Sequence, residues 1–448
     1  MQLDSRAVPA ALLATLFLLS GCGPVRDEVA DIFRGETARE NYEHALVSAG
    51  LEGTALVTAW RAAGARALAE AAPLEAPFAE EGWLPAEGAE AVGVRLAVRR
   101  GQRLEIRGSL RPDSGALLFI DVFRVAGDGP RRVASADSGA TSLDYEPSRD
   151  GDYIVRLQPE LLAGGRYTLQ VITAAALAFP VDGHGTGAIQ SVFGDPRDGG
   201  VRDHHGVDIF APRGTPALAA SAGTVSRVQD TSRGGLVVWI RDERRGANLY
   251  YAHLDAQTVE RGQRVEVGDT VGLIGNTGNA RTTPPHLHFG VYSRGPTDPA
   301  PWIRPLARTP PALRGDTALL GGWARVSAAG AEVRAGPADG AAVLERLGRS
   351  VPLRVLGAAG SWYRVRLADG RSGYMRADRA ESALEPLSHQ RMAAATAIHH
   401  APGPAGLRVA ELAAGTQVEV LGEYQGYTLV RAPLAPLGWL PPTTVDTD

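Results

Sequence analysis

Pro284-Pro285-His286-Leu287-His288-Phe289-Gly290 alternates two imidazoles with two large apolar side chains. On a β-strand, residues i and i+2 point to the same face, so His286 and His288 can share one face while Leu287 and Phe289 pack behind it. Some eighty residues upstream, His204-His205-Gly206-Val207-Asp208 offers an imidazole and a carboxylate in an H-x-x-x-D pattern. Between them stands Tyr250-Tyr251-Ala252-His253-Leu254. Two nitrogens and one oxygen suit Zn²⁺, and three protein ligands leave a fourth position for water, which is the catalytic rather than the structural arrangement. The surrounding stretch, 179–304, reads as strand-rich, with strands expected at 236–240, 249–252 and 286–292.

Composition narrows the alternatives. The 448 residues carry 46 basic and 50 acidic side chains, for a formal net charge of -4. A nucleic-acid binder would present a basic stripe, so no nucleic-acid partner is expected. Every basic residue is arginine, which excludes phosphate-loop and Schiff-base lysines. The single cysteine, Cys22, rules out an intramolecular disulfide, a C-x-x-C pair and a multi-cysteine zinc site. The length suggests several domains.

Cys22 follows an apolar run, 7–19, that is too short to span a bilayer but fits the core of a secretory signal. Leu19-Ser20-Gly21-Cys22 resembles a bacterial lipobox, whose cysteine is diacylated and becomes the first residue of the mature chain. The resemblance implies an exported, lipid-anchored protein. Gly23 after the cysteine favours the outer membrane, facing the periplasm, in a Gram-negative cell.

Beyond this signal peptide (1–22), region 23–88 reads as a helical hairpin. Thr37-Ala38-Arg39-Glu40 forms a capping box, Gly50 is a stop, and Thr54 caps a second helix carrying Trp60. Region 89–176 changes to period two and reads as a β-sandwich, with Val92, Val94, Leu96 and Val98 on one face. The zinc-competent region is 177–304, and a Pro-rich linker follows at 305–320. The rest repeats at a constant offset of 65 residues: Val355-Leu356-Gly357 matches Val420-Leu421-Gly422, and Gly373-Tyr374-Met375 matches Gly438-Trp439-Leu440. Two small β units, 321–384 and a more divergent 385–448, are expected.

His204 to Asp208, Ala211-Pro212-Arg213-Gly214-Thr215-Pro216, Tyr251-Ala252-His253-Leu254, Val267-Gly268-Asp269-Thr270-Val271-Gly272 with Gly275-Asn276-Thr277-Gly278, and His286-Leu287-His288-Phe289 occur in that order. Together they resemble the successive signatures of the lysostaphin/LytM-type zinc metalloendopeptidases, over about 125 residues. The resemblance implies an antiparallel β peptidase domain of the duplicated hybrid motif type. It implies one catalytic Zn²⁺ held by His204, Asp208 and His288, with His253 and His286 as the catalytic pair. The stretch Asn279 to Pro285 departs from the family's usual approach to the histidine pair and alters the groove edge.

The chemistry can be read from the residues too. Zinc brings the pKa of its water towards ~7 and polarises a carbonyl. One of His253 and His286 can take the water proton, while the other hydrogen-bonds the oxyanion or protonates the leaving amine; the sequence leaves the two roles open. His205 is expected to point away from the site.

The C-terminal repeats resemble bacterial SH3-like modules, which implies wall binding. Trp362, Tyr363, Tyr374, Tyr427 and Trp439 either stack on sugar or peptide or fill a small core. The expected molecule is mainly β and multidomain: a lipid-anchored hydrolase of peptide bonds in peptidoglycan stem peptides or cross-bridges. Its N-terminal region is a candidate dock for a periplasmic protein. Three alternatives stand beside it: a non-catalytic wall-binding scaffold that activates another hydrolase, a phosphocarrier, and an endopeptidase acting on other proteins.

Overall fold

The computed structural model describes residues 35–111 and 115–442, and the protein is mainly β. Cys22 and the expected signal segment lie outside the described residues.

Thr37 and Glu40 close the expected capping box ahead of α1 (Ala38–Ser48), and Thr54 caps α2 (Ala55–Ala69) by accepting from the Val57 amide. Between them Gly50 takes the left-handed conformation, φ 74°, that ends a helix without a Cβ clash. The hairpin lies flat on the sandwich. The Trp60 indole donates to the Pro159 carbonyl at 2.8 Å, Gln158 donates back to the Trp60 carbonyl at 2.8 Å, and the Arg39 guanidinium sits 4.3 Å above the Trp60 ring.

The sandwich has one sheet built on β1 (Phe78–Leu84), β3 (Gln102–Arg111) and β6 (Gly165–Ala175). The other is built on β2 (Val92–Val98), β4 (Leu118–Ala126) and β5 (Gly151–Pro159). Their inner faces meet in a core that includes Val94, Val155, Ile106 and Val171. β1 corrects the sequence reading, which gave all of 23–88 to the helical hairpin. Its buried positions alternate as a strand's should, but one of them is Glu80, so the apolar alternation was hidden.

The next sheet is antiparallel and runs β7 (Val207–Phe210), β12 (His286–Tyr292), β10 (Ala247–Gln257), β9 (Gly235–Asp242), β8 (Gly223–Thr231), with β11 (Thr270–Ile274) pairing the far end of β10. One face carries Val207, Ile209, Leu287, Phe289, Leu249, Tyr251, Val238 and Ile240, the domain core. The opposite face is free to carry chemistry. This domain is seated on the sandwich by Arg245, which donates to Glu146 at 2.8 Å, and by Trp302, whose ring lies under the Arg100 guanidinium.

The 65-residue repeat reappears as structure: Ala331–Arg334 and Thr396–His399, Val343–Leu347 and Arg408–Leu412, and β13 (Pro352–Ala359) and Gln417–Tyr424 are equivalent strands. The first barrel is joined to the sandwich by an antiparallel ladder, Glu81 opposite Ala358 and Gly82 opposite Gly357 on β1 and β13. Beneath it Arg364 donates to Glu80 at 3.0 Å and the Tyr374 hydroxyl to Glu80 at 3.1 Å, with Tyr167 completing the cluster. A buried carboxylate is tolerated there because a guanidinium and two phenols satisfy it.

That packing bears on the two roles left open for the barrel aromatics. Trp362, Tyr363, Tyr374 and Trp439 are buried, and Tyr427 is half-buried, so four of the five aromatics fill the barrels and their junctions rather than a ligand face. A barrel of about 60 residues has so little interior that its largest rings are needed inside.

Candidate metal centre and groove

The outward face of the antiparallel sheet gathers Asp208, His286 and His288 by register alone. Asp208 stands opposite His288 and Phe210 opposite His286 on β7 and β12, and Ala252 stands opposite His288 on β10. His286 and His288 share a face, as the i, i+2 spacing requires, while Leu287 and Phe289 are fully buried behind them. His204 reaches the same point from the loop before β7.

His204 Nε2, Asp208 Oδ1 and His288 Nδ1 form a triangle with edges of 3.0, 2.9 and 2.9 Å. His204 Nδ1 lies 2.8 Å from the Val192 carbonyl, to which it can only donate, so its Nε2 carries a lone pair. That lone pair faces a carboxylate oxygen, and only a proton or a cation between them relieves the repulsion. The donor set, the separations and the burial fit a divalent ion such as zinc. Burial raises the pKa of Asp208, but the adjoining imidazoles of His204 and His288 outweigh it whenever a proton lies between ring and carboxylate, and hold the carboxyl well below the usual range.

Outer partners that the sequence reading missed hold this triangle. Arg197 donates through Nη2 to Asp208 Oδ2 at 2.6 Å and to Ser191 Oγ at 2.5 Å, and Ser191 Oγ lies 3.2 Å from His204 Nδ1. Thus Oδ2 is engaged and Oδ1 is left for the ion, a division typical of ligands oriented from outside. Gly206 is required by space: a Cβ there would lie 2.6 Å from the Phe289 carbonyl and 2.8 Å from the His288 ring.

His253 arrives by a different route. Strict alternation along β10 would send it to the core side, beside Tyr251. Instead the ladder with β9 slips between Leu236 and Val238, and His253 adopts φ 63°, a left-handed conformation that is costly for a residue with a Cβ. The bulge turns its ring onto the groove side, 5.0 Å from the His286 ring and 5.9 Å from the His288 ring. His253 Nδ1 is 2.9 Å from the Thr277 carbonyl and His286 Nδ1 is 2.9 Å from the Pro284 carbonyl. Both rings therefore keep the proton on Nδ1 and leave Nε2 as an acceptor. Burial, helped by the charges of His288 and His286, pushes the His253 pKa down to about 4, so this imidazole is neutral at pH 7.

The five residues line one groove of about 560 Å³. Its far wall is aromatic: Trp239 lies 4.4 Å from Tyr250 and 5.1 Å from Tyr292, ring to ring, and Tyr250 meets His288 edge-on at 5.7 Å. His205 is exposed and stacks on Phe193, away from the triangle. His44, His184, His389 and His400 are exposed and His399 is half-buried, none of them in the groove.

A metal-competent His–Asp–His triangle with the His253–His286 pair beside it, on the open face of an antiparallel sheet, is an arrangement suited to metal-dependent hydrolysis. Residues 202–299 match Peptidase family M23, a metallopeptidase family, and residues 329–380 match the bacterial SH3 domain. The L-Ala--D-Glu endopeptidase of Bacillus subtilis is 37% identical over 140 residues, 28% of this chain and 43% of that protein. The peptidoglycan DD-endopeptidase ShyC of Vibrio cholerae is 40% identical over 103 residues, 22% of each chain. The chain thus spans less than half the length of either relative. Among solved structures, the catalytic domain of lysostaphin from Staphylococcus simulans is 31% identical, covering 25% of this chain and 87% of that one with a TM-score of 0.23.

Proposed function

We propose that this protein is a zinc-dependent endopeptidase that hydrolyses peptide bonds in peptidoglycan stem peptides or cross-bridges. The observation that carries the reading is the His204–Asp208–His288 triangle with the His253–His286 pair beside it in one open groove. The named activities of the similar wall endopeptidases support the substrate class.

Zinc bound by His204, Asp208 and His288 supplies an acidified water and a Lewis acid for the scissile carbonyl. The chain's own residues do the rest. The groove holds the peptide against the sheet, and Arg197 keeps Asp208 in a one-oxygen orientation. His286 Nε2 takes a proton at the groove face, its other nitrogen being fixed by Pro284. His253, neutral at pH 7 with Nδ1–H held by the Thr277 carbonyl, first takes a proton of the attacking water at Nε2, and its depressed pKa makes the imidazolium so formed a ready donor that returns this proton to the leaving amine.

Export and lipid attachment at Cys22 complete the proposal. They rest on the 1–22 segment, and place the groove on the wall side of the membrane. The test combines two measurements. Purified sacculi should release soluble fragments with the zinc-loaded protein and not after chelation. Cells expressing the full chain should incorporate labelled fatty acid, which Cys22→Ser abolishes. Fragment release that ignores the chelator would sink the enzymatic reading, and label that persists in Cys22→Ser would sink the anchor.

A further inference from the structure

The groove is unevenly charged. Three guanidiniums and two carboxylates line it. Arg197 is paired with Asp208 at 2.6 Å and Arg202 with Asp198 at 2.5 Å. Arg233 is exposed and has no ion-pair partner among the described residues. Its place is fixed by its backbone. The Arg233 carbonyl accepts from the Asn279 amide at 3.0 Å, and the next residue, Gly234, accepts from the His253 amide at 2.8 Å. Gly235 completes the turn at φ 62°, where a Cβ would collide with Thr277. The cation therefore stands on a rigid hairpin tip whose adjoining residue is hydrogen-bonded to the proposed proton donor.

The surface beside it suits an extended ligand. Trp239 and Tyr250 are half-exposed cross-strand neighbours on the sheet face that carries His288. The hairpin tip stands directly against this wall, since a Cβ on Gly234, the residue after Arg233, would lie 2.2 Å from the Tyr250 hydroxyl. A neutral peptide laid here would desolvate Arg233 without replacing its water. An anionic group would be drawn in and held by a charge-assisted hydrogen bond.

We propose that Arg233, with the Trp239–Tyr250 wall, forms a subsite for a free carboxylate on the substrate residue next to the scissile bond, so that the enzyme prefers acidic over amidated peptides. This rests on the endopeptidase reading above and narrows its substrate class.

The test uses the zinc-loaded full chain and two probes: muropeptides carrying free carboxylates, and the same muropeptides after their carboxylates have been converted to carboxamides with carbodiimide and ammonia. The wild type should cleave the acidic set with kcat/KM about 10-fold or more above the amidated set. Arg233→Gln should abolish that preference, mainly through KM, and Arg233→Glu should reverse it. Arg264→Gln, an exposed arginine outside the groove, should keep it. Equal cleavage of both sets by the wild type, or an undiminished preference in Arg233→Gln, would overturn the subsite while leaving the endopeptidase reading standing. Cleavage of neither set would overturn both.

Discussion

Asp208 Oδ1 and His288 Nδ1 meet at 2.9 Å because the two residues are direct register partners on adjacent antiparallel strands. The proposed metal site is thus built into a β-ladder, and only His204 is brought in by a loop. Asp208→Ala removes one of the three proposed ligands and the carboxylate partner of Arg197. Zinc content should fall from one per chain to near zero, and hydrolysis by at least about 100-fold, the lower end of what a lost catalytic element costs. Metal analysis alongside kinetics checks this.

Gly206→Ala asks whether the space behind His288 matters. The new methyl would press on the His288 ring and the Phe289 carbonyl. Zinc affinity should drop about 10- to 100-fold, the range seen when the orientation of a ligand is disturbed. Far-ultraviolet circular dichroism should remain that of the wild type, since the clash is local.

Acid should destabilise the metal-free protein in a defined window. His253 titrates at about 4 in the folded state against about 6.5 when unfolded, so between those values the unfolded chain binds the extra proton. Stability is fully present above pH ~6.5 and is lost as the pH falls towards 4, by up to about 3 kcal/mol. The burial-lowered His288 acts in the same direction. Urea melts of chelated protein at stepped pH should show the decline, and His253→Gln should flatten it.

The junction of sandwich and first barrel should behave as one buried ionic unit. Glu80→Gln removes the charge that Arg364 and Tyr374 face, at a cost of about 3–5 kcal/mol. Pairing it with Arg364→Met should restore much of the loss, because the uncompensated charge is then gone as well. Calorimetry of the single and double variants separates these outcomes.

How much of this could be read from the residues depended on whether local period and tertiary geometry agreed. His286 and His288 follow the strand period, and the sheet places both where period two says. The capping box of α1 and the Thr54 cap of α2 are equally local, as is the repeat at offset 65. His253 is different: its motif was legible, but alternation alone would have turned it inward, and the bulge with its left-handed φ arises from pairing with β9 and from the Thr277 loop. Glu80 hid β1 because the partners that make its burial tolerable, Arg364 and Tyr374, lie nearly three hundred residues away. The choice between a ligand face and a core for the barrel aromatics was open for the same kind of reason, since Tyr374 is covered by Glu80, Tyr363 by Asp316 and Trp439 by Trp323, all distant in sequence. Arg197 carries no local signal at all. Trp239 could have been found, since it stands at an outward position between the buried Val238 and Ile240.

The most direct test of the central claim is mass spectrometry of new amino termini produced from purified sacculi by the mature, zinc-loaded chain. Defined new termini within the stem peptides or cross-bridges should appear, vanish on chelation, return with added zinc, and be absent with folded His286→Ala. No new termini from folded, zinc-loaded protein, or termini that persist unchanged in His286→Ala, would contradict it.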